Sequence, residues 1–266
     1  MNKKIGFIGC GNMGRAMLGS LVKADNIDNN NIIVSTKTIA SAEKIAANFN
    51  VKATNDNRKV AMKSDIIFLA VKPYFYKDVI EQIKDLIDES KVIVSIAAGV
   101  TIENIEEWFG KETKVIRTMP NTPALVGEGM SAICYNNKVS ETELEEVCNL
   151  YNYFGKYELL DEKDFHAFIA MCGSSPAYMF MFIEAMADAG VKLGLPRAKA
   201  YKMAEQSMLG ASKLALETGK HPGVLKDEVC SPGGTTIEAV IDLEINGFRN
   251  TVRSAVEKCA EKSKNM

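Results

Sequence analysis

The sequence predicts an α/β chain in two parts: a mostly parallel sheet wrapped by helices, then an all-helical second half. Three observations predict it. Short β-branched runs alternate with helical patterns through the first half, a glycine-rich turn joins the first run to the first helix, and nothing after Leu160 resembles a strand. The runs are Lys4–Ile8, Ile32–Ser35, Ile66–Val71, Val92–Ala97 and Lys114–Thr118. Helical patterns lie between them at Asn12–Ala24, Ala40–Phe49, Tyr76–Ile87 and Ile102–Phe109. The runs are apolar throughout rather than alternating, as strands covered on both faces are. Strand–helix alternation implies parallel pairing through right-handed crossovers. Met130–Tyr135 and a helix near Thr142–Phe154 extend this unit.

The charged break Asp161–Lys163 marks the expected boundary, giving domains 1–160 and 161–266. Beyond it Phe165–Met171, Pro176–Leu193, Arg197–Glu217 and Ile237–Ile245 read as helices. The net charge of −2, with no block of like charges, argues against nucleic acid or a polybasic membrane surface as partner. The longest apolar stretches, Ile66–Val71 and Val92–Val100, fall short of a bilayer. Met1–Gly9 runs straight into a strand and does not read as a signal peptide, so a cytoplasmic location is expected. Six scattered cysteines and two histidines, His166 and His221, form no clustered ligand set. No metal site is therefore expected, and the thiols read as reduced, packed side chains.

Gly9-Cys10-Gly11-Asn12-Met13-Gly14 is a GxGxxG run between the first strand and the first helix, the context that marks a Rossmann-type dinucleotide site. Gly9 permits the tight turn, Gly11 lets the backbone approach a pyrophosphate, and Gly14 lets helix and strand pack closely. The N–H groups at the start of that helix face the phosphates. The second strand ends in Ser35-Thr36-Lys37, where an NAD site has a carboxylate for the ribose 2′-hydroxyl. Two hydroxyls and an ammonium favour NADP(H), with NAD(H) as the alternative; Lys37 also reads as a solvated loop lysine. Ala70-Val71-Lys72-Pro73 and Ala97-Ala98-Gly99 close two further strands on the side where ligands of open α/β sheets bind.

In the second half, Ser231-Pro232-Gly233-Gly234-Thr235-Thr236 precedes a helix. Glycines there let several N–H groups turn together at the positive end of a helix dipole, a site suited to a carboxylate. The same residues also read as an ordinary N-cap. Cys172-Gly173-Ser174-Ser175-Pro176-Ala177-Tyr178 is a second helix start open to both readings, and Arg117-Thr118-Met119-Pro120-Asn121-Thr122-Pro123 is a rigid loop at a strand end.

Taken with Gly190–Pro196, His221-Pro222-Gly223 and Asp227–Ile237, these motifs cover nearly the whole chain in order, and the chain resembles the pyrroline-5-carboxylate reductase family. It departs from the family's SGSGPAY at Cys172 and Ser175, and Gly14 stands where the family often has alanine. The resemblance implies reduction of 1-pyrroline-5-carboxylate to L-proline by hydride transfer from NAD(P)H, the last step of proline biosynthesis. It implies that Thr236 reaches the imine nitrogen, and that Ser231, Gly233, Gly234 and Thr235 hold the substrate carboxylate. It further implies that Asn57 contacts the cofactor, although Asn57 also reads as a plain loop residue. It implies a homodimer built by the helical domains and a larger ring of dimers. The apolar helix around Met179, Phe180, Met181, Phe182 and Met186 agrees with an interface. Two rival functions use a similar layout. A β-hydroxyacid dehydrogenase generally uses a lysine on the first long helix of the second domain; here Lys192 lies at that helix's far end. A non-catalytic NADP sensor would not need the Ser231–Thr236 turn.

Overall fold

The computed structural model describes residues 3–265. The α/β part is built from β1 (Ile5–Ile8), α1 (Asn12–Leu21), β2 (Ile32–Ser35), α2 (Ile39–Phe49), β3 (Lys52–Thr54), α3 (Asn57–Lys63), β4 (Ile66–Leu69), α4 (Tyr76–Ile83), β5 (Val92–Ser95), α5 (Ile102–Phe109), β6 (Lys114–Met119), β7 (Gly129–Tyr135), α6 (Glu141–Tyr151), β8 (Gly155–Leu159) and α7 (Phe165–Phe168). The strands form one sheet in the order β3-β2-β1-β4-β5-β6-β7-β8. All pairs are parallel except β6 with β7. The chain runs outward from β1 to β3, then returns to place β4 on the other side of β1. That reversal opens a crevice at the carboxyl ends of β1 and β4, where open α/β sheets bind ligands.

Both faces of the sheet are buried, and strand alternation assigns residues to each. Phe7, Val34, Phe68, Val94 and Ile116 share a core with Met17 and Leu21 of α1 and Val147 and Tyr151 of α6. Ile8, Ile33, Ile67, Ile93 and Val115 share the other core with Val60 of α3, Ile80 of α4, Ile105 of α5 and Phe165 of α7. Two-sided burial is why these strands read as continuous apolar runs. The two strands absent from the sequence reading, β3 and β8, are the sheet edges, half-exposed and polar. An edge strand buries too little to carry an apolar run. Helix α3 escaped notice for a similar reason, burying only Val60 and Ala61. β4 also stops at Leu69, before the loop that begins at Ala70.

The compact α/β unit extends to Gly173 and includes the chain end from Lys262; a second unit comprises Ser174–Glu261. The first unit's extension holds because Phe165 and Phe168 of α7 sink into the sheet's core, and a π-helical turn follows over Ile169–Gly173. The second unit is helical: α8 (Ser175–Lys192), α9 (Arg197–Thr218), α10 (Pro222–Val229), α11 (Thr235–Ile245) and most of α12 (Phe248–Lys264). Among its described residues only Ala187, Ala200 and Ala204 are buried hydrophobics, while Met179, Phe180, Met181, Phe182 and Met186 are exposed. The 31-residue helical run Glu162–Lys192 is also long and apolar enough, by length and composition, to cross a membrane. It contains residues 177–183, an uninterrupted apolar segment longer than Ile66–Val71, so the two stretches named from the sequence are not the two longest in the chain.

Candidate functional site

Residues singled out in the first half meet at the carboxyl edge of the parallel strands. After β1 the chain turns at Gly9, whose φ of +87° lies in the left-handed region. The Gly9 N–H donates to the Ser35 carbonyl (2.9 Å), and the Ala70 N–H donates to the Ile8 carbonyl (2.8 Å). A Cβ at Gly9 would stand 2.6 Å from Val71 Cγ1 and 2.8 Å from the Ala70 carbonyl oxygen. Only glycine fits there. A Cβ at Gly14 would lie 3.3 Å from Ala70 Cβ, so a small residue is needed where α1 crosses β4. Gly11 is different: it is the N-cap of α1, and a Cβ on it would meet nothing within 4 Å.

The start of α1 is therefore open. It has no side-chain cap and no acidic residue in its first turn. Its leading N–H groups have no intrahelical acceptor and point where an anion would be held. Asn12 is exposed beside this opening, whereas Met13 packs its side chain on the core. Cys10 in the same turn is a poor nucleophile, because burial pushes its thiol up to about 11, a shift partly offset by Arg15.

At the end of β2 the three candidate residues separate. Ser35 is fully buried, and its hydroxyl donates to Asn57 Oδ1 (2.7 Å). It orients Asn57, whose Nδ2 donates to Gln82 Oε1 (2.9 Å). Thr36 is half-buried and donates to the Thr38 carbonyl (3.0 Å). Lys37 is exposed, with its Nζ 6.0 Å from the centre of the Phe75 ring. No carboxylate of the β2 end opposes a 2′-phosphate. Ser35 and Thr36 spend their hydroxyl protons within the protein, so the exposed Lys37 ammonium, with the opening at Gly11, is what fits a phosphorylated dinucleotide.

Behind β4 and β5 lies a buried hydroxyl network that sequence reasoning missed. The Tyr76 hydroxyl donates to the Leu69 carbonyl (2.5 Å) and accepts from Ser95 Oγ (3.1 Å) and the Ile96 N–H (3.3 Å). Thr118 Oγ1 donates to the Ser95 carbonyl (2.8 Å) and accepts from the Tyr151 hydroxyl (2.5 Å). Burial pushes the Tyr76 phenol up to about 12 and the Tyr151 phenol higher still. This network fixes the strand ends from which Val71, Lys72 and Pro73 and then Ala97, Ala98 and Gly99 emerge. Hydroxyls spaced this far apart carry no local sequence signal. Arg117, 4% exposed, is held by Glu162 (2.8 Å) and lies over the Phe165 ring.

In the helical unit, the Gly234 N–H donates to the Ser231 carbonyl (3.0 Å), and Gly233 has a φ of +64°. The turn brings Ser231, Gly233, Gly234, Thr235 and Thr236 together. The N-cap of α11 is Gly234, and no side chain caps the helix. Thr235 and Thr236 begin the helix itself, two residues before the start read from the sequence, and their hydroxyls are not spent as caps. At the other glycine-rich helix start, Ser174 is the N-cap of α8 and its hydroxyl accepts from Cys259 Sγ (3.2 Å). His221 is the N-cap of α10 through its Nδ1, and His166 meets Ser263. Among the described residues no group of His, Cys, Asp and Glu could hold a metal, and all six cysteines are free.

Comparison with known proteins decides the family. Residues 162–266 match the family model for pyrroline-5-carboxylate reductase dimerisation. Residues 4–99 match that for coenzyme F420-dependent NADP oxidoreductases. The chain is 49% identical to the pyrroline-5-carboxylate reductase of Escherichia coli K12, over 100% of this chain and 99% of that one. This chain belongs to the pyrroline-5-carboxylate reductase family. The solved Plasmodium falciparum pyrroline carboxylate reductase, with NADP bound, is 36% identical with a TM-score of 0.88, over 99% of this chain and 98% of that one. The Coxiella burnetii pyrroline-5-carboxylate reductase is 33% identical with a TM-score of 0.94, over 100% of this chain and 98% of that one. The second half of the chain is thus a dimerisation domain of this family.

Proposed function

We propose that the chain reduces 1-pyrroline-5-carboxylate to L-proline with NAD(P)H, NADPH preferred. The observation that carries this reading is 49% identity, over the whole of this chain, to a reductase of that name. In it, residues 1–160 form the NADP-binding Rossmann domain and residues 161–266 the dimerisation and substrate domain.

When bound, the nicotinamide supplies the hydride that reaches the carbon of the C=N bond. The chain's residues bind and orient. The Gly9–Gly14 turn holds the pyrophosphate through Gly11 and the α1 N–H groups; Thr36, Lys37 and Asn57 take the adenosine side. Ala70 to Pro73 bound the cofactor at the end of β4, and Ala97 to Gly99 line the nicotinamide side. The N–H groups of Ser231 and Gly233, with Thr235, hold the substrate carboxylate at the uncapped start of α11, while the Gly234 N–H closes the turn on the Ser231 carbonyl. The Thr236 hydroxyl donates a hydrogen bond to the imine nitrogen. A neutral hydroxyl is a poor acid, so Thr236 positions the imine, and the proton that the nitrogen gains on reduction to the amine comes from solvent water. The histidines do not serve as the acid in this reading; His221 is used as a helix cap.

The exposed apolar face of α8 is covered by a second copy of the chain, not by lipid or nucleic acid, and the dimers assemble into a ring. The family's dimerisation model and the small buried core of this unit support that reading. A cytoplasmic location accompanies it, with free cysteines as support.

The test follows NADPH absorbance on adding pyrroline-5-carboxylate, with NADH in parallel and Thr236→Ala as companion. Rapid oxidation, faster with NADPH and weakened in the variant, is expected. Tight NADPH binding without oxidation would sink the reductase reading and bring the sensor reading forward.

A further inference from the structure

We infer that Phe75, with Tyr74 beside it and Lys37 facing it, forms the wall against which the adenine ring of the dinucleotide stacks. The inference rests on the cofactor reading above and deepens it. After β4 the sequence places three aromatics in a row, and the fold treats them differently. Tyr76 is fully buried, while Tyr74 is 73% exposed and Phe75 40% exposed. The turn does not need the two exposed rings, since it is closed by backbone alone, Phe75 N–H to the Lys72 carbonyl at 2.9 Å. The rings nevertheless pair, with centroids 4.4 Å apart. An exposed aromatic pair that serves no core offers a face to a flat, apolar partner.

Its place identifies the partner. Tyr74 and Phe75 follow β4, and Lys37 follows β2; the two loops flank the carboxyl end of β1, where the glycine-rich turn lies. A dinucleotide held by that turn sends its adenosine half toward β2. Lys37 Nζ stands 6.0 Å from the Phe75 centroid and, among the described residues, makes no ion pair. A planar base between two groups needs about 7 Å, two stacking contacts of about 3.5 Å each. A flexible lysine stem gives that ångström readily, and its ammonium then meets both the ring edge and a 2′-phosphate. Arginine or lysine over an aromatic, with a base between, is a recognition mode tolerant of loop movement.

The test measures calorimetric binding of two fragments to the full-length protein: adenosine 2′,5′-bisphosphate, and reduced nicotinamide mononucleotide, which lacks the adenine. Variants are Phe75→Leu, which keeps apolar volume but removes the π-face, and Tyr74→Ser, whose side chain is too exposed to hold the fold. Phe75→Leu is expected to weaken the adenosine fragment about tenfold, within the range of a lost base–aromatic stack. The mononucleotide should change by less than about twofold, and Tyr74→Ser should show a smaller loss of the same kind. Unchanged adenosine-fragment binding in Phe75→Leu, or equal losses for both fragments, would overturn the inference. So would a wild-type protein that does not bind the adenosine fragment. If the wild type binds that fragment, Phe75→Leu weakens it and pyrroline-5-carboxylate is not reduced, the stacking wall stands and the reductase reading fails. If the reductase is active and Phe75→Leu binds both fragments normally, the wall alone fails.

Discussion

Gly9 and Gly11 stand two residues apart in one turn, and the structure predicts opposite consequences for the same substitution. In Gly9→Ala the new methyl lies 2.8 Å from the Ala70 carbonyl oxygen and 2.6 Å from Val71 Cγ1, on a residue whose φ is +87°. The left-handed conformation costs about 1–2 kcal/mol for a residue with a Cβ. Forced overlap adds about 1–3 kcal/mol, because the oxygen belongs to a strand end that cannot swing away. The sum is about 2–5 kcal/mol, and for a chain of this size the melting temperature should fall by roughly 10 °C. In Gly11→Ala the backbone is ordinary for alanine, with φ −73°, and the methyl meets nothing within 4 Å. Alanine is a poorer N-cap than glycine, offset by the loss of unfolded-state freedom, so stability should change by less than about 1 kcal/mol. The methyl does occupy the space through which a pyrophosphate reaches the α1 N–H groups. Losing one charge-assisted hydrogen bond of about 1.5–3 kcal/mol weakens NADPH binding roughly ten- to hundredfold. Thermal melting and a fluorescence titration with NADPH on both variants check this. A Gly11→Ala protein that binds NADPH like the wild type would refute the pyrophosphate cradle. A Gly9→Ala protein as stable as the wild type would refute the steric argument.

Three further predictions use other parts of the first unit. Glu162→Gln leaves the buried Arg117 cation without its counter-charge; because Glu162 is one-third exposed, the cost should be about 2 kcal/mol, below that of a fully buried pair. Thermal melts should show it, and adding Arg117→Met should restore stability. The Tyr76 phenol, raised to about 12, keeps its proton in the folded chain after an unfolded tyrosine has lost its own near pH 10. Folding therefore binds extra proton in that window, and stability should fall as pH rises from about 10 to 12, by about 2–3 kcal/mol. Urea melts at graded pH should reveal this slope, and Tyr76→Phe should reduce it. Finally, Lys37→Met should cut the preference for NADPH over NADH about tenfold, whereas Ser35→Ala should leave that ratio within about twofold. Equal effects in steady-state assays would contradict the assignment of Ser35 to orienting Asn57.

Much of this fold was legible in the sequence because its signals are local. Two-sided burial makes β1, β2, β4, β5 and β6 apolar along their whole length, and the constraint at Gly9 is written into the residue itself. Family membership was likewise carried by short ordered motifs, from Gly9–Gly14 to Ser231–Thr236. The sheet's edges left no such mark, since β3 and β8 bury little. What only the tertiary structure decided is which polar groups are free. Ser35 and Lys37 looked alike as phosphate ligands, yet Ser35 is consumed by Asn57, 22 residues away, while Lys37 reaches toward Phe75. The hydroxyls of Thr235 and Thr236 could have been caps, and the backbone placed the N-cap at Gly234 instead. Tyr76 and Ser95 meet only because β4 and β5 pair in parallel. Periodicity and glycine geometry act over a few residues and can be read in order. The fate of a hydroxyl depends on partners brought in from elsewhere in the chain, and only folding supplies them.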